Sequence, residues 1–168
     1  MPKIIENLKE RLLAEVGLQL AQGGYEAVTI RSVAKGCGVG VGTVYNYFPS
    51  KEALVAAYLL EDWKECVETI RSAAEVSDSP GPVLQCIYEQ LTGFAARHQA
   101  VFTAKAAVSG FAASLNQYHA LLRSQLAEPL SRFCTGDFHA QFVAESLLTW
   151  SMAGKSFEEI YEILGKVI

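Results

Sequence analysis

Apolar residues recur every three to four positions along almost the whole chain, and no stretch sustains the alternation of apolar and polar residues that is typical of a strand. The segment at 4–22 shows the spacing with Ile5, Leu8, Leu12, Val16 and Leu20. Equivalent helical patterns occur at 30–36, 41–48, 51–74, 83–97, 100–108, 111–133, 137–153 and 156–167. This periodicity predicts an all-α fold with about nine helices.

Glycine, proline and capping residues separate these segments. The Gly23–Gly24 pair predicts the end of the first helix, and Pro49 predicts the end of the third. Pro129 lies inside the pattern at 111–133, where we expect a break or kink because proline has no amide proton for the helical hydrogen bond. Ser156 and Glu159 have the spacing of a capping box, which predicts the start of the last helix.

Composition excludes two broad classes of protein. With 168 residues, of which 51% are hydrophobic, the chain can bury a core without disulfides or a structural metal ion, and it is too apolar to be disordered. No apolar run reaches the roughly 18 residues of a transmembrane helix, so we expect no membrane partner. The mean hydropathy of +0.19 predicts that apolar surface is buried in a subunit interface or around an internal cavity.

Neither the start of the chain nor its cysteines point to an oxidising compartment. The first residues lack the basic and apolar regions of a secretion signal, so we expect a cytoplasmic protein. Its four cysteines form no CxxC pair and no zinc-type cluster, and its three histidines show no metal-binding spacing, so we expect reduced thiols and no metal or cofactor. The cysteines are Cys37, Cys66, Cys86 and Cys134, and the histidines are His98, His119 and His139.

Two short helical segments joined by a turn that contains glycine carry the main functional signal. Thr29 is a good N-cap for the segment at 30–36, and a short connection leads to the segment at 41–48. This pattern predicts a helix-turn-helix, in which the second helix enters the major groove of DNA. The outward positions of that helix and of the residue beyond it are Gly42, Thr43, Tyr45, Asn46, Tyr47 and Lys51.

The chemistry of these outward positions favours DNA over plain solvent. Hydroxyl and amide groups suit phosphate oxygens and base edges, a lysine adds a point charge, and a glycine permits close approach of the backbone. The alternative is a helical hairpin with a polar outer face. That face would ordinarily carry a mixture of glutamate and lysine, which this one lacks.

The same residues resemble a known family. The chain reads GYEAVTIRSVA at 24–34, GV at 38–39, GTVYNYF at 42–48 and SKEAL at 50–54. This is similar to the N-terminal domain of TetR/AcrR-type transcriptional repressors, and the resemblance covers about residues 4–60. It implies a helix-turn-helix DNA-binding domain at 1–50 and a helical effector-binding and dimerisation domain at 51–168.

The resemblance also implies roles. Proteins of this family are homodimers that bind a near-palindromic operator and block transcription, and a small molecule in the C-terminal domain releases the DNA. By position, Thr29 would meet a phosphate, Arg31 would reach a base, and Lys51 would contact a phosphate beyond the recognition helix. The family often has a polar residue where Gly40 and Val41 stand, so the helix cap is weaker here and Val41 offers only apolar contact, for example to a thymine methyl.

Charge is divided unevenly along the chain. Residues 1–52 hold six basic and five acidic residues, a net charge of +1, whereas residues 53–168 hold eight basic and thirteen acidic residues, a net charge of −5. The acidic balance therefore belongs to the part that need not touch DNA. The modest positive charge of the first part predicts few phosphate contacts and a shallow dependence of DNA affinity on salt.

The two C-terminal helical segments are apolar on more than one side, which indicates either deep burial or a shared interface. Terminal helices rarely lie deep in a small monomer, so we predict that they pair with a second copy in a four-helix interface; ordinary core is the alternative. The predicted interface residues are Phe142, Leu147, Trp150, Ile160, Ile163 and Leu164.

The middle helices hold aromatic residues with a few polar tips, a composition that suits an apolar ligand pocket and equally suits a core. A ligand there would be apolar or aromatic, and Arg97, Arg123 and Lys105 are available for an anionic head group. The predicted ligand-binding residues are Trp63, Cys66, Tyr88, Phe102, Phe111, Tyr118 and His119.

Three functional hypotheses remain open at this point. The first is a repressor whose partners are double-stranded operator DNA, a second copy and an unidentified small-molecule effector. The second keeps the helix-turn-helix but replaces the effector with a protein partner or a structural DNA role. The third, an all-helical enzyme, is disfavoured because the sequence shows no nucleophile–base pair, phosphate loop, paired carboxylates or metal set.

Overall fold

The computed structural model describes residues 7–106 and 111–168, with side chains for 7–104 and 119–168. All regular structure in these residues is helical, which confirms the predicted all-α class with nine α-helices in the described ranges. The helices are α1 (Leu8–Ala27), α2 (Ile30–Cys37), α3 (Val41–Tyr45), α4 (Lys51–Val76), α5 (Pro80–Arg97), α6 (Gln99–Ala106), α7 (Phe111–Leu130), α8 (Asp137–Met152) and α9 (Phe157–Leu164).

Contacts divide the chain into two compact units. The first is Met1–Asp62 with Gln99–Lys105, and the second is Trp63–His98 with Ala106–Ile168. The first unit therefore extends beyond the predicted domain 1–50. The reason is packing: Leu54 and Val55 at the start of α4 are buried in the same cluster as the residues of α1–α3.

The core of the first unit follows the predicted periodicity. Of the predicted inward positions of α1, Leu8, Leu12 and Val16 are buried and Leu20 is partly buried, whereas Ile5 lies outside the described residues. α2 contributes the predicted Ile30, Val33 and Ala34. The predicted Val44 of α3 and Phe48, three residues beyond that helix, are buried too. The whole cluster contains Leu8, Leu12, Leu13, Val16, Val28, Ile30, Val33, Ala34, Cys37, Val44, Phe48, Leu54, Val55 and Val101.

Three helix ends differ from prediction by a few residues. α1 is interrupted at Gly24, which has a φ of 70°, but one further turn carries it to Ala27. α2 ends at Cys37 because the left-handed residue is Gly38, with a φ of 68°, and not the predicted Gly36. α3 ends at Tyr45, although the amide of Phe48 still donates to the carbonyl of Val44 at 2.9 Å; the proline that follows Phe48 disfavours helical backbone there.

The second unit is built around one apolar cluster from α4, α5, α7, α8 and α9. α7 ends at Leu130, one residue beyond Pro129, and a short 3-10 helix follows at Ser131–Phe133. α9 begins with the predicted capping box: Ser156 accepts a hydrogen bond from the amide of Glu159, whose carboxylate accepts one in return.

No helix in the described ranges combines the length and apolar character needed to span a membrane. The same ranges contain no group of three histidine, cysteine, aspartate or glutamate side chains arranged to hold a metal ion.

Candidate nucleic-acid interface

The N-terminus of α2 is held by a reciprocal cap. The Thr29 hydroxyl accepts a hydrogen bond from the amide of Ser32 at 2.9 Å, and the Ser32 hydroxyl accepts one from the amide of Thr29 at 2.9 Å. The Ser32 hydroxyl also donates to Oε1 of Gln19 on α1 at 2.6 Å. This network anchors the start of α2 on α1 and leaves Thr29 and Arg31 exposed.

The turn between α2 and α3 is closed by backbone hydrogen bonds and by one arginine. The amide of Val39 donates to the carbonyl of Ala34 at 2.9 Å, as in a Schellman motif with Gly38 in the left-handed position. Arg11 on α1 donates from Nη2 to the carbonyl of Cys37 at 2.9 Å, and the Cys37 thiol donates back to the carbonyl of Arg11 at 3.4 Å. The end of α2 is therefore fixed against α1.

The Cys37 thiol is a structural group in this turn. Burial raises its pKa, the nearby carboxylate of Glu15 raises it further, and the guanidinium of Arg11 partly opposes both effects. At neutral pH the thiol therefore stays protonated and able to donate its hydrogen bond. Arg11 and Gln19 were not among the predicted site residues, because their partners lie on another helix and no sequence spacing marks them.

α3 separates inward from outward side chains clearly. Val44 and Phe48 are buried and hold the helix to the first unit. On the other side, the side chains of Tyr45 and Tyr47 are 53% and 46% exposed.

The remaining predicted α3 residues also lie on its accessible side. Val41, Gly42 and Asn46 are exposed and Thr43 is half-buried. A Cβ added at Gly42 would meet no atom within 4 Å, so this part of the surface is open to close approach. Contact of these residues with DNA remains a prediction.

The start of α3 lacks a side-chain cap. Gly40 occupies the N-cap position in extended backbone, with φ of −72° and ψ of 148°, and no side-chain hydrogen bond is made there. The missing cap was expected, because glycine has no side chain to accept the hydrogen bond that a polar residue would accept at this position. The helix is short and depends on Val44 and Phe48 for its anchoring.

Lys51 is the first residue of α4, next to the predicted cap. The hydroxyl of Ser50 accepts a hydrogen bond from the amide of Ala53 at 3.2 Å. Nζ of Lys51 lies 3.9 Å from the centroid of the Tyr25 ring. Burial raises the pKa of the Tyr25 phenol, and the carboxylates of Glu52 and Glu26 raise it further, Glu52 also by accepting its hydrogen bond.

The predicted ligand-binding residues of α4 and α5 lie in the second unit. Trp63 and Cys66 are each 2% exposed within the core. Trp63 donates from Nε1 to Oε1 of Gln125 at 2.7 Å, and the sulfur of Cys66 accepts a hydrogen bond from Nη2 of Arg97 at 3.4 Å. The hydroxyl of Tyr88 donates to the carbonyl of Lys155 at 3.1 Å. In the described state these groups are packed against protein atoms.

The other predicted ligand-binding residues are dispersed. Phe102 belongs to the first unit. His119 lies in the second, with Nδ1 3.6 Å from a carboxylate oxygen of Glu145, which is also 3.5 Å from Nη1 of Arg123. The side chains of Phe111, Tyr118 and Lys105 lie outside the described residues.

The predicted dimer residues divide into a surface set and a buried set. Phe142 and Trp150 on α8 and Ile163 on α9 are at least half exposed. They border a groove of about 470 Å³ that Ile160 and Leu164 also line. Leu147, Ile160 and Leu164 are buried in the core of the second unit, at 0%, 6% and 3% exposure. The assignment of these six residues to a dimer interface stays a prediction.

Part of the sequence matches known regulators. Residues 18–58 match the family model described as bacterial regulatory proteins, tetR family. The HTH-type transcriptional repressor KstR from Rhodococcus jostii is 36% identical over 86 residues, which are 50% of this chain and 39% of that protein. The match thus spans about two fifths of that relative's length.

Solved structures resemble the chain over nearly its whole length. A TetR-family transcriptional regulator from Streptomyces coelicolor has a TM-score of 0.66 at 19% identity, covering 95% of this chain and 99% of that one. Thermus thermophilus FadR, a TetR-family repressor solved with lauroyl-CoA, has a TM-score of 0.66 at 22% identity, covering 92% and 89%. At these identities the likeness concerns the fold.

Proposed function

We propose that this chain, whose residues 18–58 match the tetR family of bacterial regulators, is a transcriptional repressor that binds a palindromic operator as a homodimer under the control of a small apolar or aromatic ligand. The observation that carries the proposal is the segment 41–48, in which two tyrosines are exposed while a valine and a phenylalanine are buried. The repressor role is supported by the relative KstR, which is named as a repressor.

The proposed interface combines three kinds of contact. Arg31 at the start of α2 is the candidate for a base edge in the major groove, since a guanidinium pairs well with guanine. Tyr45 and Tyr47 offer rings and hydroxyls, and Val41 offers an apolar surface. Thr29 and Lys51 flank them and would bind phosphates, which set the register of the protein on the duplex.

DNA binding is tested with a duplex that the protein itself selects from a randomised library. Tyr45→Ala and Lys51→Ala should each weaken binding to that duplex, while Tyr45→Phe separates the ring from the hydroxyl. Lys166→Ala is the matched control, because it removes the same charge from an exposed lysine that follows α9 in the second unit. Unchanged affinity in both test variants would overturn the groove assignment.

We propose that the groove between α8 and α9 is where two copies meet. It is apolar, and its border includes the half-exposed Trp150, a residue type enriched in the energetic centres of interfaces. An isologous pairing of the two helices would cover this surface in both protomers and explain the high mean hydropathy.

We propose that the effector binds within the second unit, among the aromatic side chains around Trp63. The neighbouring fold of Thermus thermophilus FadR was solved with lauroyl-CoA, which supports an elongated apolar ligand as the first probe. Because Trp63 and Cys66 are packed in the described state, a ligand that reaches them must displace part of that packing. Calorimetric titration with lauroyl-CoA, followed by DNA release, tests this.

The close packing around Trp63 is also the observation that favours the second candidate, a helix-turn-helix protein controlled by a protein partner or acting structurally on DNA. The two are separated by the ligand titration combined with DNA binding. An apolar ligand that binds the second unit and changes the affinity for the selected duplex supports the effector. Tight DNA binding that no apolar probe alters supports the alternative.

A further inference from the structure

Lys51 and Tyr25 form a cation–π pair inside the first unit. The ammonium nitrogen of Lys51 lies 3.9 Å from the ring centroid, well within the roughly 6 Å over which such pairs attract. The two residues come from different elements, the end of α1 and the start of α4. Folding of the first unit therefore brings them together.

Lys51 is a cation at the N-terminus of α4. A cation in the first turn of a helix faces the positive end of the helix dipole, which is unfavourable for the isolated helix. The same location is favourable for a phosphate, because the dipole and the ammonium then act on the anion together. The lysine at this site suits a bound anion better than it suits the helix.

The Tyr25 ring is held independently of the lysine. It is partly buried against the apolar cluster of the first unit, and its hydroxyl donates to the Glu52 carboxylate. The chain reaches Tyr25 through Gly24, whose φ of 70° turns the backbone out of the helix. The ring is thus fixed by packing, by one hydrogen bond and by the turn that precedes it.

We propose that Tyr25 is a positioning residue for DNA binding: its ring holds the Lys51 ammonium in place to meet a phosphate beyond the recognition helix. This rests on the proposed function. A ring face attracts the ammonium without carrying a compensating negative charge, so the ammonium keeps its attraction for phosphate. The contact also restricts a long side chain that would otherwise lose much rotamer freedom on binding.

The test is a double-mutant cycle on the duplex selected by the wild-type protein. Tyr25→Leu should weaken binding about two- to fivefold, the range of an exposed to partly desolvated cation–π pair. Tyr25→Phe, which keeps the ring and loses the hydroxyl, should bind like wild type. In a Lys51→Met background, Tyr25→Leu should have no further effect, because no ammonium remains to be positioned.

A purely structural role for Tyr25 gives a different result. In that case Tyr25→Leu weakens binding equally in both backgrounds, and the inference is overturned. If Tyr25→Leu does not fold, Tyr25→Met replaces it in the same cycle, since its flexible side chain refills the space without a ring.

A second measurement needs no DNA. The ring current of Tyr25 should shift the Lys51 ε-methylene proton resonances upfield, and the shift should persist in Tyr25→Phe and vanish in Tyr25→Leu. Absence of the shift in the wild type overturns the contact itself. If the protein selects no duplex at all, the proposed function fails and the positioning role with it, whatever the proton shifts show.

Discussion

At the level of single residues, hydrophobic spacing predicted which side chains point inward. The four-residue step from Val44 to Phe48 placed both in the core, and the tyrosines between them therefore lie outside. The same reasoning missed the pair of hydrogen bonds between Arg11 and Cys37. These residues are 26 positions apart, so their contact depends on how α1 packs against α2 and no local pattern encodes it.

Thr29 is expected to contribute to stability as well as to DNA binding. Thr29→Ala removes the oxygen that caps α2 and should lower the free energy of unfolding by about 1 kcal/mol. Thr29→Ser keeps the hydroxyl and should remain close to wild type in both stability and DNA affinity. Urea unfolding followed by circular dichroism measures the difference, and equal stability of the two variants would contradict the capping role.

At the level of helices, the sequence predicted the number and order of the elements, whereas several predicted helix ends differ from the observed ends by a few residues. The sequence did not reveal which glycine adopts the left-handed conformation, because both Gly36 and Gly38 stand near the end of α2. A Cβ at Gly36 would meet the flexible Glu15 side chain of α1, whereas Gly38 has a φ of 68° and makes the turn.

Serine substitutions at two nearby glycines should have opposite effects. Gly38→Ser forces a side chain into backbone with a φ of 68° and should destabilise the first unit by about 1 kcal/mol. Gly40→Ser places a capping hydroxyl at the start of α3, where the new Cβ meets only Oγ1 of Thr43 at 3.7 Å, and should stabilise by a few tenths of a kcal/mol. Thermal unfolding of both variants checks the sign; the same sign for both would contradict this account.

At the level of the whole molecule, the sequence predicted a DNA-binding part followed by a second helical part, but it did not predict that Gln99–Lys105 joins the first unit. Val101 is buried in the apolar cluster of that unit, and no local sequence pattern predicts this long-range packing. Apolar spacing did not separate the exposed dimer candidates of α8 from the buried Leu147, because α8 is apolar on both sides and only the packed core distinguishes them.

A charge placed in the groove between α8 and α9 should weaken dimerisation. Ile163→Glu places a carboxylate at a position that is 61% exposed in the single chain and covered in the proposed dimer. We expect dimerisation to weaken at least tenfold, about 1.4 kcal/mol, because the carboxylate would be buried without a partner. Val76→Glu, at the exposed end of α4, is the control with the same added charge. Light scattering after size-exclusion chromatography measures the outcome, and a wild-type monomer at micromolar concentration would contradict the dimer itself.

DNA affinity should depend only weakly on salt. The net charge of +1 in residues 1–52 suggests few phosphate contacts per subunit. The loss of affinity between 50 and 200 mM salt should therefore stay below the roughly 10³-fold loss that six or more contacts produce. Lys51→Ala should reduce the slope by about 1, as expected for one phosphate contact. A steep slope in the wild type would show that more cations reach the DNA than the charge division suggests.

The unequal burial of the two tryptophans has a spectroscopic consequence. Trp63 is 2% exposed and lies where the effector is proposed to bind, whereas Trp150 is 51% exposed on the proposed dimer face. Their fluorescence should therefore be separable, with blue-shifted, quencher-resistant emission from Trp63 and, in the dissociated monomer, red-shifted, iodide-sensitive emission from Trp150. Trp63→Phe and Trp150→Phe each leave a single fluorophore, so one protein supplies separate optical reporters for ligand entry and for self-association.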